Sequence, residues 1–220
     1  MNMRDSGLSM TEPGLSTSES DLVVLVPDKN MEATIAGLLS RPHALGIPQM
    51  QYRIYVHTWR DSGCLLDSHN FLRPLMNLHA HVLVLFDRHG CGQEGQSRES
   101  LEEIVESRLS DAGWNDRAAV IVLDPELEIW VWSNSPHVER CLGWEGKQPG
   151  LRAWLCSQGL WPDNSPKPSD PKKAVEQALC KAGKPRSSSL YEQMAKLVSF
   201  QRCTDQAFAK FKEVLQKWAS

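Results

Sequence analysis

Acidic side chains placed just after apolar runs are the first sign of chemistry in this chain. Asp87 follows the run 82–86, and Asp124 follows 120–123, with Glu126 and Glu128 just beyond. In an extended backbone, 124, 126 and 128 share a face. In a helix, 124 and 128 do. Glu32 falls in the first turns of the helix expected after the run 22–26. Several carboxylates at one edge suit Mg²⁺, or the similar Mn²⁺, which favours hard oxygen ligands and keeps some of its waters. Such an ion polarises a phosphate and activates a nucleophile. The same Asp124-Pro125-Glu126 is also a good helix start, with Asp as N-cap, Pro at the first position and Glu in the first turn.

Three other segments carry weaker signals. In Phe86-Asp-Arg-His-Gly-Cys-Gly-Gln-Glu94, Gly90 and Gly92 let the backbone approach an anion closely. No Gly-Lys-Ser/Thr follows, so this is not a Walker A loop, and a plain turn is the better account of it. A nucleophilic Cys91–His89 pair would lack an orienting third group. Residues 181–191 hold Lys184, Arg186, Ser187 and Ser188 ahead of a helix, an arrangement able to hold a phosphate, or simply an exposed loop with a serine cap. Trp130 and Trp132 suit packing between the sheet and later helices better than base stacking. His79 and His81 would share a strand face, but no cysteine accompanies them to complete a zinc set.

The elements that must position these groups follow from periodicity. Runs 22–26, 82–86 and 118–123 are apolar on both faces, as strands buried in a parallel sheet are. Run 52–56 alternates like a half-buried strand. Helices are expected from Asp28 or Asn30 to Leu39, over 70–77, and over 99–112. Residues 41–48 and 58–68 read as loops, the latter with a turn at Gly63-Cys64. Strands alternating with helices argue for a parallel sheet covered on both faces, and ligands of such sheets bind at the carboxyl ends of the strands. Those ends carry Asp28, Asp87 and Asp124. Beyond 133 the pattern is helical: 136–142, 151–158, 171–182, 188–200 and 205–218, with a proline-rich strap at 161–171. Phe208, Phe211, Leu215 and Trp218 form one stripe.

Composition sets the frame. The 220 residues are 41% hydrophobic and 23% charged, with a net charge of -3. Those values are ordinary for a globular domain and exclude a chain that coats polyanions over its whole surface. No apolar run is long enough to cross a membrane. Residues 1–21 are polar and aperiodic, and read as a disordered tail without the apolar core of a secretory signal. Six scattered cysteines with no Cys-x-x-Cys spacing are expected to be free thiols in a reducing cytoplasm. The division expected is a tail (1–21), an α/β domain (22–133) and a helical C-terminal extension packed on it (134–220).

Five features in order resemble the compact bacterial Toprim-like proteins, relatives of the nuclease module of the overcoming-lysogenization-defect proteins. They are a strand followed by a helix-start glutamate (22–26, Glu32) and a strand ending in Asp with glycines after it (82–92). Then come Glu126-Leu-Glu-Ile-Trp130, the segment Lys184-Pro-Arg-Ser-Ser before Tyr191, and the ending Cys203, Phe208, Leu215, Trp218. The resemblance implies a Toprim-like parallel sheet flanked by helices, with a helical C-terminal portion. It implies Glu32 as general acid/base, Asp87 with Glu126 and Glu128 as the metal-binding set, and Mg²⁺ or Mn²⁺ as cofactor. It also implies a place among bacterial antiphage systems, including methylation-associated ones. Two departures stand out: Pro27-Asp28 replaces the Glu-Gly before the first helix, and Asp87-Arg-His replaces an Asp-x-Asp.

Two functions follow as expectations. One is a Mg²⁺-dependent nuclease or nicking protein, with Glu32 handling the proton, Asp87, Asp124, Glu126 and Glu128 holding metal, and Lys184, Arg186, Ser187 and Ser188 contacting nucleic acid phosphates. The other is a catalytically inactive Toprim-like subunit that binds partner proteins or nucleic acid within a defence complex.

Overall fold

The computed structural model describes residues 20–133, 135–200 and 203–219. The expected tail lies outside the described residues except for Ser20 and Asp21, which begin the first strand. That strand, β1, spans Ser20–Val26. It is followed by α1 (Lys29–Leu39), the short α2 (Pro42–Leu45), β2 (Tyr52–Val56), α3 (Arg60–Leu66) and α4 (Ser68–Leu72). Next come β3 (His79–Asp87), α5 (Arg98–Asp111), β4 (Ala118–Leu123) and α6 (Glu128–Val131). The remaining elements are α7 (Pro136–Leu142), α8 (Leu151–Ser157), α9 (Pro171–Ala182), α10 (Ser188–Leu197) and α11 (Gln206–Trp218).

The four strands form one sheet in the order β2-β1-β3-β4, with every pairing parallel. This is an α/β architecture with helices on both faces. Alternate residues of each strand serve opposite faces, as the two-residue period of a strand requires. Leu22, Val24, Val26, Leu83, Leu85, Ile121 and Leu123 pack into one cluster with α1 and with buried residues of α7, α8, α9, α10 and α11. Val23, Leu25, Val82, Val84, Phe86, Val120 and Val122 face the other way, against Cys64 and Leu65 of α3, Leu72, and Leu101, Val105 and Leu109 of α5.

Two positions differ from expectation for tertiary reasons. Residues 60–66 are helix α3, not loop, and Gly63 lies within it: a Cβ there would stand 2.0 Å from His57 Nδ1. Glycine is therefore what allows α3 to rest on the imidazole at the end of β2. Similarly, a Cβ on Gly37 would lie 2.8 Å from both Ala195 Cβ and the Glu192 carbonyl, so the close α1–α10 crossing depends on that glycine. The helix expected from Pro125 begins only at Glu128, and the Asp124–Pro125 peptide is cis.

The outer edge of the sheet at β4 is buried and closed by side chains. Glu106 Oε1 accepts the Val120 N–H and Glu102 Oε1 accepts the Val122 N–H, each at 2.9 Å. Lys210 of α11 donates to both carboxylates, and Arg98 donates to Glu102. Satisfying these N–H groups removes the template an edge strand offers to other chains. Of the aromatic stripe on α11, Phe208, Phe211 and Leu215 are buried; Trp218 is only partly covered and stacks on His81 with centroids 4.6 Å apart.

Candidate functional site

Each strand delivers an acidic residue to the carboxyl edge of the sheet. After β1, Asp28 caps α1: its Oδ1 accepts the N–H groups of Asn30 and Met31, both at 2.9 Å. After β2, the His57 N–H continues the pairing onto the Val26 carbonyl at 2.8 Å. The chain then turns through Arg60, whose φ of 51° is left-handed, into α3. This turn aims Asp61 at β3, where its Oδ1 accepts the Asp87 N–H at 2.9 Å. Asp87 is the last residue of β3, and its Oδ1 is buried with no hydrogen-bond partner. After β4, the loop is tied to the loop of β3, Arg88 N–H to the Leu123 carbonyl at 2.8 Å and His89 N–H to the Pro125 carbonyl at 2.9 Å.

Glu126 and Glu128, which follow, are 3% and 1% exposed, values that carboxylates reach only when paired. Glu126 Oε1 accepts the Lys172 N–H at 3.2 Å, and its Oε2 lies 3.3 Å from Lys172 Nζ. Glu128 Oε1 accepts short hydrogen bonds from the Tyr191 hydroxyl and the Arg186 guanidinium. Helix α9 therefore neutralises Glu126 through Lys172, and Arg186, just before α10, neutralises Glu128.

The electrostatics centre on Asp87. Burial pushes its carboxyl well above the usual carboxylate range, and repulsion from Asp61, Glu128, Asp28 and Glu126 pushes it further. Asp61 is also raised, first by burial and then by Asp28, against the lowering effect of the Asp87 N–H and Lys172. Burial and the same aspartates drive the Cys64 thiol up, so it stays protonated. For Lys172, burial acts downward, but Glu126 and Glu128 outweigh it and hold the ammonium charged. Tyr191 is raised by burial and then by Glu128, which keeps its hydroxyl a donor.

The expected site residues divide accordingly. Asp87, Glu126 and Glu128 are brought into electrostatic contact. Asp124 is exposed and pairs with Arg88 at 2.9 Å. Glu32 pairs with Lys29 at 2.7 Å, one turn back along α1. Lys184 Nζ donates to the Cys141 carbonyl, Arg186 turns inward to Glu128 and Glu176, the Ser187 hydroxyl meets that of Ser189, and Ser188 opens α10. The Cys91 thiol is raised by burial, the opposite of an activated nucleophile. His79 bonds Ser20 while His81 stacks on Trp218, so the two histidines have separate partners. Asp61 is the group the sequence left unmarked, and the roles of Lys172 and Tyr191 as partners of Glu126 and Glu128 were not legible there. Asp61 stands 26 residues from the backbone N–H it binds, and nothing local announces that contact.

Among the described residues, no group of three or more His, Cys, Asp or Glu is already arranged as ion ligands. Comparison with family models, with curated proteins and with solved structures finds no match.

Proposed function

We propose that the carboxyl edge of the sheet is a Mg²⁺- or Mn²⁺-dependent phosphodiester-cleaving site acting on nucleic acid, in a Toprim-like protein. The observation that carries this is Asp87 Oδ1, a buried oxygen with no donor among like charges. Leaving such an oxygen unmet is costly, and a divalent cation would both fill its coordination and relieve the repulsion. The donor set is hard oxygen, which suits Mg²⁺ or Mn²⁺. When bound, the ion supplies charge to polarise a phosphate and to activate a nucleophile.

The protein's own residues have distinct tasks in this account. Asp87 holds the ion. Glu126 and Glu128 lie behind it, Glu126 holding Lys172 as the cation for the substrate's phosphates and Glu128 balanced internally by Arg186. Glu32, one turn beyond Asp28 on α1, takes the proton-handling role. Asp124 orients the Arg88 loop through its ion pair. A cytoplasmic antiphage setting with partner proteins belongs to the same proposal, on the strength of the Toprim-like motifs alone.

A second reading has its own support. Glu126 and Glu128 are already neutralised by Lys172 and Arg186, as in a site that has lost its ion and serves as a binding subunit of a defence complex. The deciding assay is cleavage of plasmid and single-stranded DNA and RNA with Mg²⁺ or Mn²⁺, alone and with partner proteins. Activity that requires the ion and is lost in Glu32→Gln and Asp87→Asn supports the enzyme. No cleavage, with full phage protection by both variants in cells, leaves the binding subunit.

A further inference from the structure

We infer that Asp61 is the second carboxylate of the cation site, so that a Mg²⁺ or Mn²⁺ ion sits between Asp87 and Asp61. The inference rests on the metal-dependent reading above and names the residues that carry it. Asp87 offers a buried, partnerless Oδ1 at the end of β3. An ion there needs at least one further carboxylate, and the surrounding acids are not equally available. Glu128 is taken by Arg186 and Tyr191, Glu126 by both nitrogens of Lys172, and Asp28 Oδ1 by two N–H groups of α1. Asp61 is placed differently: its Oδ1 accepts the backbone N–H of Asp87 itself. A hydrogen bond of 2.9 Å from the Asp87 backbone fixes the Asp61 carboxylate at the end of β3, within electrostatic reach of the Asp87 carboxyl.

The turn that delivers Asp61 is built for a defined position. Arg60 is left-handed, a conformation that non-glycine residues keep only where surrounding structure imposes it. His57 Nδ1 accepts the Trp59 N–H at 3.1 Å, and the bare Gly63 lies flat on the same imidazole. Mg²⁺ is commonly held by one or two carboxylates, several waters and the substrate's own phosphates. The second carboxylate absent from Asp87-Arg-His is thus supplied across the sheet edge from the β2–α3 turn.

The test is Mn²⁺ binding to the full chain, followed by electron paramagnetic resonance of the free ion, together with melting curves in chelator and in Mn²⁺. Asp61→Asn is the informative variant, because its amide oxygen still accepts the Asp87 N–H while the charge is gone. It should bind Mn²⁺ more weakly by at least the roughly 10–100-fold that loss of an outer-shell partner costs. Its melting temperature in chelator should equal or exceed that of the wild type, because repulsion with Asp87 is relieved. Asp116→Asn, in the exposed turn before the amino end of β4, should bind as the wild type does. Unchanged Mn²⁺ affinity in Asp61→Asn, with affinity lost in Asp87→Asn, would overturn the role of Asp61 and leave the metal-dependent reading intact. No Mn²⁺ binding by the wild-type protein would overturn both.

Discussion

Replacing Gly63 with alanine sets two physical effects against each other. Alanine in a helix interior is favoured over glycine by roughly 0.5–1 kcal/mol. At this position the new methyl would lie 2.0 Å from His57 Nδ1, 2.4 Å from Cε1 and 2.8 Å from Cγ. The His57 side chain is 2% exposed and has no room to retreat. Overpacking of this kind costs about 1–3 kcal/mol. Displacing the ring also loosens the Trp59 N–H bond to Nδ1, about 1 kcal/mol more. Packing wins, and the net destabilisation should be about 1–3 kcal/mol. For a chain of 220 residues each kcal/mol shifts the melting temperature by roughly 2–4 °C, so a fall of about 2–12 °C is expected by circular dichroism. Because α3 carries Asp61, Mn²⁺ binding should weaken as well. A His57→Ala background removes the ring, and there Gly63→Ala should become neutral or stabilising, a coupling that a double-mutant cycle isolates. A higher melting temperature for Gly63→Ala alone would refute the packing argument.

Three further outcomes follow from the same contacts. Glu102→Ala strips the acceptor from the Val122 N–H and a partner from Lys210 and Arg98; it should cost about 2–4 kcal/mol in a denaturant titration, and a cost within error of zero would mean the β4 edge needs no such closure. Tyr191→Phe leaves buried Glu128 with Arg186 alone and should cost about 1–3 kcal/mol by the same titration, while an unchanged midpoint would show the hydroxyl to be idle. Asp87 has a folded-state carboxyl pKa above its unfolded value, so folding takes up a proton between the two. In chelator, stability should therefore rise as the pH falls from neutral towards the ordinary carboxylate range and be lost as the pH rises through the folded value. Melts of Asp87→Asn over the same range should be flatter, and equal slopes would place the titration elsewhere.

The parts of the fold legible in the sequence are those whose cause is local. Runs 22–26, 82–86 and 118–123 are apolar without interruption because both sheet faces are covered, and all three lie in neighbouring parallel strands. Helices α5, α9 and α11 carry their own periodicity and their own caps in Ser97, Asp170 and Asp205. Helix α3 carries neither. Its Gly63 reads as a turn until the imidazole of His57 is placed beside it. The site divides in the same way. Asp87 follows from the rule that ligands bind at strand ends, and Glu126 and Glu128 from their closeness to β4. Asp61 is joined to Asp87 only by a contact across strands. Arg186 lies in a stretch that looks like a phosphate contact, yet it is an internal counter-ion, because Glu128 is buried and needs a charge opposite it. Glu32 and Asp124 were legible from their places at a helix start and a strand end, whereas their ion pairs with Lys29 and Arg88 were not.

The central claim is that an ion is held at the end of β3, and the most direct measurement is the location of Mn²⁺ by anomalous scattering from a crystal soaked in that ion. The account predicts one strong peak in contact with Asp87 Oδ1 and the Asp61 carboxylate. A well-occupied peak at Glu32 or Asp124 with none at Asp87, or no bound ion at all, would contradict it.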